Sequence, residues 1–137
     1  MKMPKYVLVV DDEAIIKNIL KTFFESKGLT VITASSGGEG MRLLEKHPEI
    51  EIIITDVNCS DGDDMDGIWL AREIRKIDQK RECVTPIIFM SGGIAPYSPS
   101  HLVELTPFML SKPFPPYEVI MDMLAAAYDS AHAVANP

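Results

Sequence analysis

Five side chains stand out for the chemistry their types and positions allow. Asp11 and Asp12 follow the apolar run Tyr6-Val7-Leu8-Val9-Val10. Asp56 follows Ile52-Ile53-Ile54-Thr55, Ser91 follows Ile87-Ile88-Phe89-Met90, and Lys112 follows shortly after Phe108-Met109-Leu110. If the runs are parallel strands, three carboxylates, a hydroxyl and an ammonium meet at one edge of a sheet, outside the strands' carboxyl ends, where open α/β sheets bind ligands. Carboxylates gathered this closely repel one another unless a cation lies among them. A hard divalent ion with oxygen ligands fits, and Mg²⁺ typically takes one or two carboxylates and keeps several waters. The plainer alternative makes each acid a solvated loop residue or helix cap. Asp12 alone would suit that reading, but joint placement at four strand ends argues against it.

The elements that must position these groups follow from hydrophobic patterning. Strands are expected over 6–10, 29–34, 50–55, 85–90 and 108–110. Helices are expected over 13–27, 39–46, 68–77, within 98–105, and from 116 to about 133. Continuous apolar runs fit strands covered on both faces. Ile15, Ile16, Ile19, Leu20 and Phe23 form one helical stripe ending at Gly28, a C-cap glycine. Pro48 stops the second helix, and Ser98-Pro99 suits a helix start. Strands alternating with helices imply a parallel sheet with helices on both faces. The 137 residues fit one domain, with a core of about 5–127 and a frayed tail over 128–137.

Composition narrows the function classes. A net charge of −7 disfavours direct nucleic-acid binding. Cys59 and Cys83 are too few for a disulfide framework and read as reduced thiols. No apolar stretch is long enough for a membrane helix, and Asp11-Asp12-Glu13 rules out a signal peptide, so a cytoplasmic setting is expected. His47, His101 and His132 are scattered and suggest no zinc site. Gly37-Gly38-Glu39-Gly40 lacks the strand context of a nucleotide fingerprint. Asp64-x-Asp66-Gly67 partly fits a calcium loop, but Gly62 would stand at the first ligand position. Trp69 reads as a packing residue.

The segments Val7–Glu13, Ile52–Asn58, Ile87–Ser91 and Leu110–Phe114, in this order and spacing, resemble the receiver domains of bacterial two-component response regulators. The resemblance runs from about Lys5 to Ala127. It implies a flavodoxin-like (βα)5 three-layer sandwich with a five-stranded parallel sheet of order 2-1-3-4-5. It also implies that Asp56 is the phosphoacceptor, that Asp12 binds Mg²⁺ directly, and that Asp11 acts through water. The Asn58 backbone carbonyl completes the metal site, Ser91 bonds the attached phosphoryl group, and Lys112 precedes a proline that favours a cis bond. The donor would be a histidine kinase or a histidine phosphotransfer protein. The signal would leave through the face from the fourth strand to the fifth helix, toward a separate output protein or a second copy of the chain.

Three departures from the family pattern stand out. Cys59-Ser60 replaces Met-Pro, and Met65-Asp66-Gly67 comes about three residues late, after the acidic insertion Asp61, Asp63 and Asp64. That insertion is either a solvated loop or a tuner of metal affinity or donor choice. Met109 stands where an aromatic switch residue is usual, and Phe108 points to the opposite face of its strand. The fourth helix is short and proline-flanked, so an unusual or mobile segment is expected over 92–105. Two other functions are weighed. A pseudo-receiver would bind partners without phosphorylation, and its usual mark, a missing acid or lysine, is absent here. An aspartate-nucleophile phosphatase would need a second acid where Asn58 stands.

Overall fold

In the computed structural model, residues 3–59, 64–92 and 102–135 are described, with side chains up to His132. The elements are β1 (Tyr6–Val10), α1 (Ala14–Ser26), β2 (Thr30–Ala34), α2 (Gly37–Lys46), β3 (Ile52–Asp56), α3 (Gly67–Arg81), β4 (Ile87–Ser91), β5 (Met109–Ser111) and α4 (Tyr117–Ala135). The five strands form one parallel sheet in the order β2-β1-β3-β4-β5. The flavodoxin-like order implied by the resemblance is thus the one observed.

Strand side chains alternate between faces, and each face has its own core. Val7, Val9, Ile52, Ile54, Ile88, Met90 and Leu110 pack with Leu20, Phe24, Ile120 and Leu124 of α1 and α4. Leu8, Val10, Ile53, Ile87 and Phe89 pack with Leu70, Ala71 and Ile74 of α3, and Met41, Leu43 and Leu44 of α2 join them. Because both faces are covered, the strands read as unbroken apolar runs; Val7 through Val10 are all inaccessible. Trp69 packs against the second core, as expected. Among the described residues no helix is long and apolar enough to cross a membrane.

Several boundaries differ from the sequence expectations. Helix α2 starts at Gly37 rather than Glu39, because Ser36 caps it by accepting from Glu39 N. Helix α3 continues from Ile77 to Arg81, held by a buried carboxylate, Asp78, on its last turns. The expected tail over 128–137 is not frayed in its first part. α4 runs to Ala135, Tyr128 and Ala131 are buried, and the Tyr128 hydroxyl donates to Glu51 Oε2 at 3.0 Å. The expected fourth helix lies mostly outside the described residues; its end closes in a turn where Leu105 N and Thr106 N both donate to the Leu102 carbonyl. The acidic insertion is outside the described residues from 60 to 63. α1 ends as expected, with Gly28 at φ +89° and Leu29 N donating back to Phe24 O.

Candidate functional site

The parallel register brings the predicted residues to one edge. Val10 pairs with Thr55 and Asp56 with Met90, so Asp11, Asp56 and Ser91 leave neighbouring strands at the same level. Ser91 pairs with Ser111, which sets Lys112 just beyond, and Lys112 N donates to the Ser91 carbonyl at 2.9 Å. The Lys112–Pro113 bond is cis, as the resemblance implied.

One oxygen from each of Asp11, Asp12 and Asp56 lies within 4.8 Å of the other two. Asp11 is fully buried and Asp12 is exposed. Lys112 Nζ donates to Asp11 Oδ2 at 2.6 Å and to Asp56 Oδ2 at 2.9 Å. The remaining oxygens have backbone donors: Glu13 N to Asp11 Oδ1 at 2.9 Å, and Asn58 N to Asp56 Oδ1 at 3.1 Å. Burial pushes the Asp11 carboxyl above its ordinary range, against the opposing pull of the Lys112 and Glu13 hydrogen bonds. Burial also works to lower the Lys112 ammonium, but its hydrogen bonds to Asp11 and Asp56 outweigh that and hold it above the usual lysine value. Lys112 therefore stays charged, and it bridges Asp11 and Asp56, two of the three clustered carboxylates.

This donor set suits a hard divalent cation. It is made of oxygen, carries excess negative charge, and is open on the Asp12 side. Among the described residues each Asp56 oxygen has one donor, yet a carboxylate offers about four lone-pair sites, so an ion can join without losing these bonds. Among the described residues this is the one group of three acids placed to hold a metal.

Three features had no role assigned from the sequence. Glu13, an exposed carboxylate, lies 3.7 Å from Lys112 Nζ and makes no side-chain cap to α1. Behind Asp56, Thr55 Oγ1 and Cys59 Sγ both donate to the Asp56 main-chain carbonyl at 3.1 Å. Gly67 closes the same spot, where a Cβ would stand 1.7 Å from the Asp56 carbonyl oxygen, so no other residue fits without moving the backbone. The signal for that glycine was visible as Asp66-Gly67 opening a helix. Met109 is 39% exposed, and Phe108, on the opposite face, packs against the α1–α4 core. The position where the family pattern has an aromatic residue thus carries a partly solvated thioether.

A family model described as the response regulator receiver domain matches residues 7–124. The chain is 36% identical over 74 residues to the transcriptional regulatory protein GlrR of Escherichia coli (strain K12), a match covering 54% of this chain and 16% of that protein. It is 31% identical over 87 residues to the aerobic respiration control protein ArcA of the same strain, covering 64% and 33% respectively. The chain thus spans well under half the length of these relatives. Among solved structures, the Vibrio cholerae chemotaxis protein CheY4 superposes with a TM-score of 0.70 at 25% identity, over 92% of this chain and 97% of that one.

Proposed function

We propose, from the premise that this chain belongs to the response regulator receiver domain family of two-component systems, that Asp56 accepts a phosphoryl group and so switches the binding of a protein partner. The observation that carries the reading is the position of Lys112 Nζ, within hydrogen-bond distance of both Asp56 and Asp11, beside the cluster of Asp11, Asp12 and Asp56. The donor would be the phosphohistidine of a histidine kinase or a histidine phosphotransfer protein. An Asp56 carboxylate oxygen attacks phosphorus and forms a P–O bond as the P–N bond breaks. The P–N electron pair and a proton end on the departing imidazole.

Asp11, Asp12, Asp56 and the Asn58 backbone carbonyl would hold Mg²⁺. A bound Mg²⁺ supplies concentrated positive charge against the phosphoryl oxygens in a loose transition state. Lys112 is already desolvated and fixed beside Asp56, so it offsets developing charge without having to reorganise. Ser91, at the same sheet edge, would donate to the attached phosphoryl group. The aspartyl phosphate would then shift the population between two conformers of the face running from β4 to α4. The net charge of −7 favours a protein over nucleic acid as the target, either a separate output protein or a second copy, and the setting would be the cytoplasm.

Incubation with acetyl phosphate and Mg²⁺ tests the reading. Intact-mass analysis should show one hydroxylamine-sensitive phosphoryl group per chain, absent in Asp56→Asn and absent with EDTA. Mg²⁺ binding without uptake would instead mark a pseudo-receiver, and rapid multiple-turnover release of phosphate with no accumulated covalent adduct a phosphatase.

A further inference from the structure

We propose that the buried hydroxyl–thiol pair of Thr55 and Cys59 positions the phosphoacceptor, by holding the Asp56 main-chain carbonyl from behind and so fixing the turn that carries both the Asp56 carboxylate and Asn58. The inference rests on the reading of Asp56 as the acceptor.

Thr55 and Cys59 are both inaccessible to solvent. Their polar atoms face each other at 3.5 Å, and each donates to the same oxygen, the Asp56 carbonyl, at 3.1 Å. Cys59 belongs to the same apolar cluster as Ile53, Val57, Ile68 and Leu70, whose side chains offer no competing partner. A buried hydroxyl that lost this carbonyl would be left with only the thiol sulfur, a weak acceptor, so its hydrogen bond resists displacement. The carbonyl is confined on another side by Gly67, which leaves no room for a Cβ.

The turn is also tied at its other points. Val57 N donates to the Met90 carbonyl at 3.1 Å, and the Cys59 carbonyl accepts from Gly37 N at 3.2 Å. Cys59 therefore joins the acceptor's backbone, through its thiol, to the start of α2, through its carbonyl. None of these hydrogen bonds is made to Lys112 or to a carboxylate of Asp11, Asp12 or Asp56. They touch neither the phosphoryl donor nor the metal ligands' side chains, so Thr55 and Cys59 are positioning residues. A displacement of about an ångström in a reacting group can cost orders of magnitude in rate. A weak thiol bond that shares its acceptor with a hydroxyl should cost much less when removed.

Four proteins of residues 1–137 decide the matter: wild type, Thr55→Val, Cys59→Ala and Cys59→Ser. Each is measured for Mg²⁺ affinity without phosphorylation by calorimetry, for the rate of uptake from acetyl phosphate at saturating Mg²⁺, and for thermal midpoint. Thr55→Val and Cys59→Ala should each slow uptake by roughly three- to tenfold, the size expected for one lost hydrogen bond, and weaken Mg²⁺ binding. Cys59→Ser restores a donor and should return both to within about twofold of wild type, even though a hydroxyl in an apolar core lowers the midpoint. Recovery of rate with loss of midpoint is a pattern that a pure packing role cannot produce. Equal slowing in Cys59→Ala and Cys59→Ser, or wild-type rates in all variants, would overturn the proposal. Should Thr55→Val not fold, the two Cys59 variants decide alone. A wild-type protein that takes up no phosphoryl group overturns the acceptor reading itself, and this inference with it.

Discussion

Two regions of this molecule bury a carboxylate beside a cation, and they resolve the cost of doing so in opposite ways. At the carboxyl edge of the sheet, Asp11 and Asp56 share Lys112 with Asp12 close by. At the other end, near the start of β4, Asp78 of α3 is nearly inaccessible. There Asp78 Oδ2 accepts from Arg75 Nη1 at 2.7 Å and from Thr85 N at 2.9 Å, while Oδ1 accepts from Thr85 Oγ1 at 2.7 Å. Arg75 also donates to the carbonyls of Leu105 and Thr85. One acid and one base thus satisfy each other and four backbone or hydroxyl groups. Among the described residues the Asp78 cluster is satisfied within the protein, whereas the Asp56 cluster keeps an excess of negative charge that a bound cation would balance. A buried acid by itself says little about function. A buried acid whose charge the protein leaves uncompensated points to a site.

The contrast breaks most sharply under paired substitutions. Asp56→Asn should abolish phosphoryl uptake, read by intact mass, and should not lower the free energy of unfolding, because it removes one of several mutually repelling charges. Asp78→Ala should do the reverse. It strands Arg75 and the Thr85 donors, and should cost about 3 kcal/mol in urea denaturation, while the folded fraction still takes up phosphate. If Asp56→Asn proves the more destabilising of the two, the distinction between the regions fails.

These two regions also differ in how far they could be read in the sequence. Asp11, Asp12, Asp56, Ser91 and Lys112 were legible because each lies within two residues of the end of an apolar run, and a parallel sheet brings the ends of such runs together whatever the loops do. The strands were legible because burial on both faces removes polar residues from their middles, as in Val7–Val10 and Ile52–Ile54. Strand order came from the family resemblance, since hydrophobic patterning holds no information about which run lies beside which. Asp78 was not legible. In Lys76-Ile77-Asp78-Gln79-Lys80-Arg81 it reads as one more solvated helix residue, and only the path of the chain to Thr85 gives it partners. The last turns of α3 were missed for the same reason. The buried stretch of α4 around Tyr128 was missed because its anchor, Glu51, lies 77 residues away. The contacts of Thr55 and Cys59 with the Asp56 carbonyl depend on a tight turn, and Cys59 could be seen only as a departure from Met-Pro.

A second test concerns the single cation of the site. Lys112→Met should slow phosphoryl uptake by about 10²-fold, the usual size for loss of one preorganised charge-stabilising donor. It should also tighten Mg²⁺ binding to the unphosphorylated protein by roughly tenfold, because the ammonium beside the same carboxylates repels the metal. Opposite movement of rate and affinity would show that the cluster's excess charge draws the ion. A loss of both would mean that Lys112 mainly holds the acids in place.

Metal binding gives a smaller, purely thermodynamic check. At ten times its dissociation constant, Mg²⁺ should stabilise the wild type against unfolding by about 1.4 kcal/mol. EDTA should remove that increment and Asp12→Asn should reduce it. Asp78→Ala should lose stability overall yet keep the full increment, since its cluster has no charge left for an ion to balance.

The smallest effect uses the free cysteine that lies in each region. Cys59 is buried against the Asp56 carbonyl, and Cys83 is exposed with its Sγ 3.6 Å from Asp78 Oδ1. Burial pushes the Cys59 thiol up to about 12, so at pH 8 its thiolate, the reactive form, is on the order of 10⁻⁴ of the total. Cys83 is raised as well, by burial and then by the charge of Asp78, but it is open to reagent. Iodoacetamide at pH 8 should therefore label the native protein once, at Cys83, and peptide mapping would locate the label. Because both pKa values lie above their ordinary range, labelling at Cys83 should quicken as pH rises through 8 and 9, with Cys59 still unmodified. In Asp78→Ala the nearby negative charge is gone, the Cys83 thiol falls toward its ordinary value, and its labelling at pH 8 should speed up. Saturating Mg²⁺ should leave the Cys83 rate unchanged, because that region does not take part in the metal site. A Cys83 rate that followed Mg²⁺ would show that the two ends of the sheet are coupled, and that the Asp78 cluster responds to the site it was contrasted with.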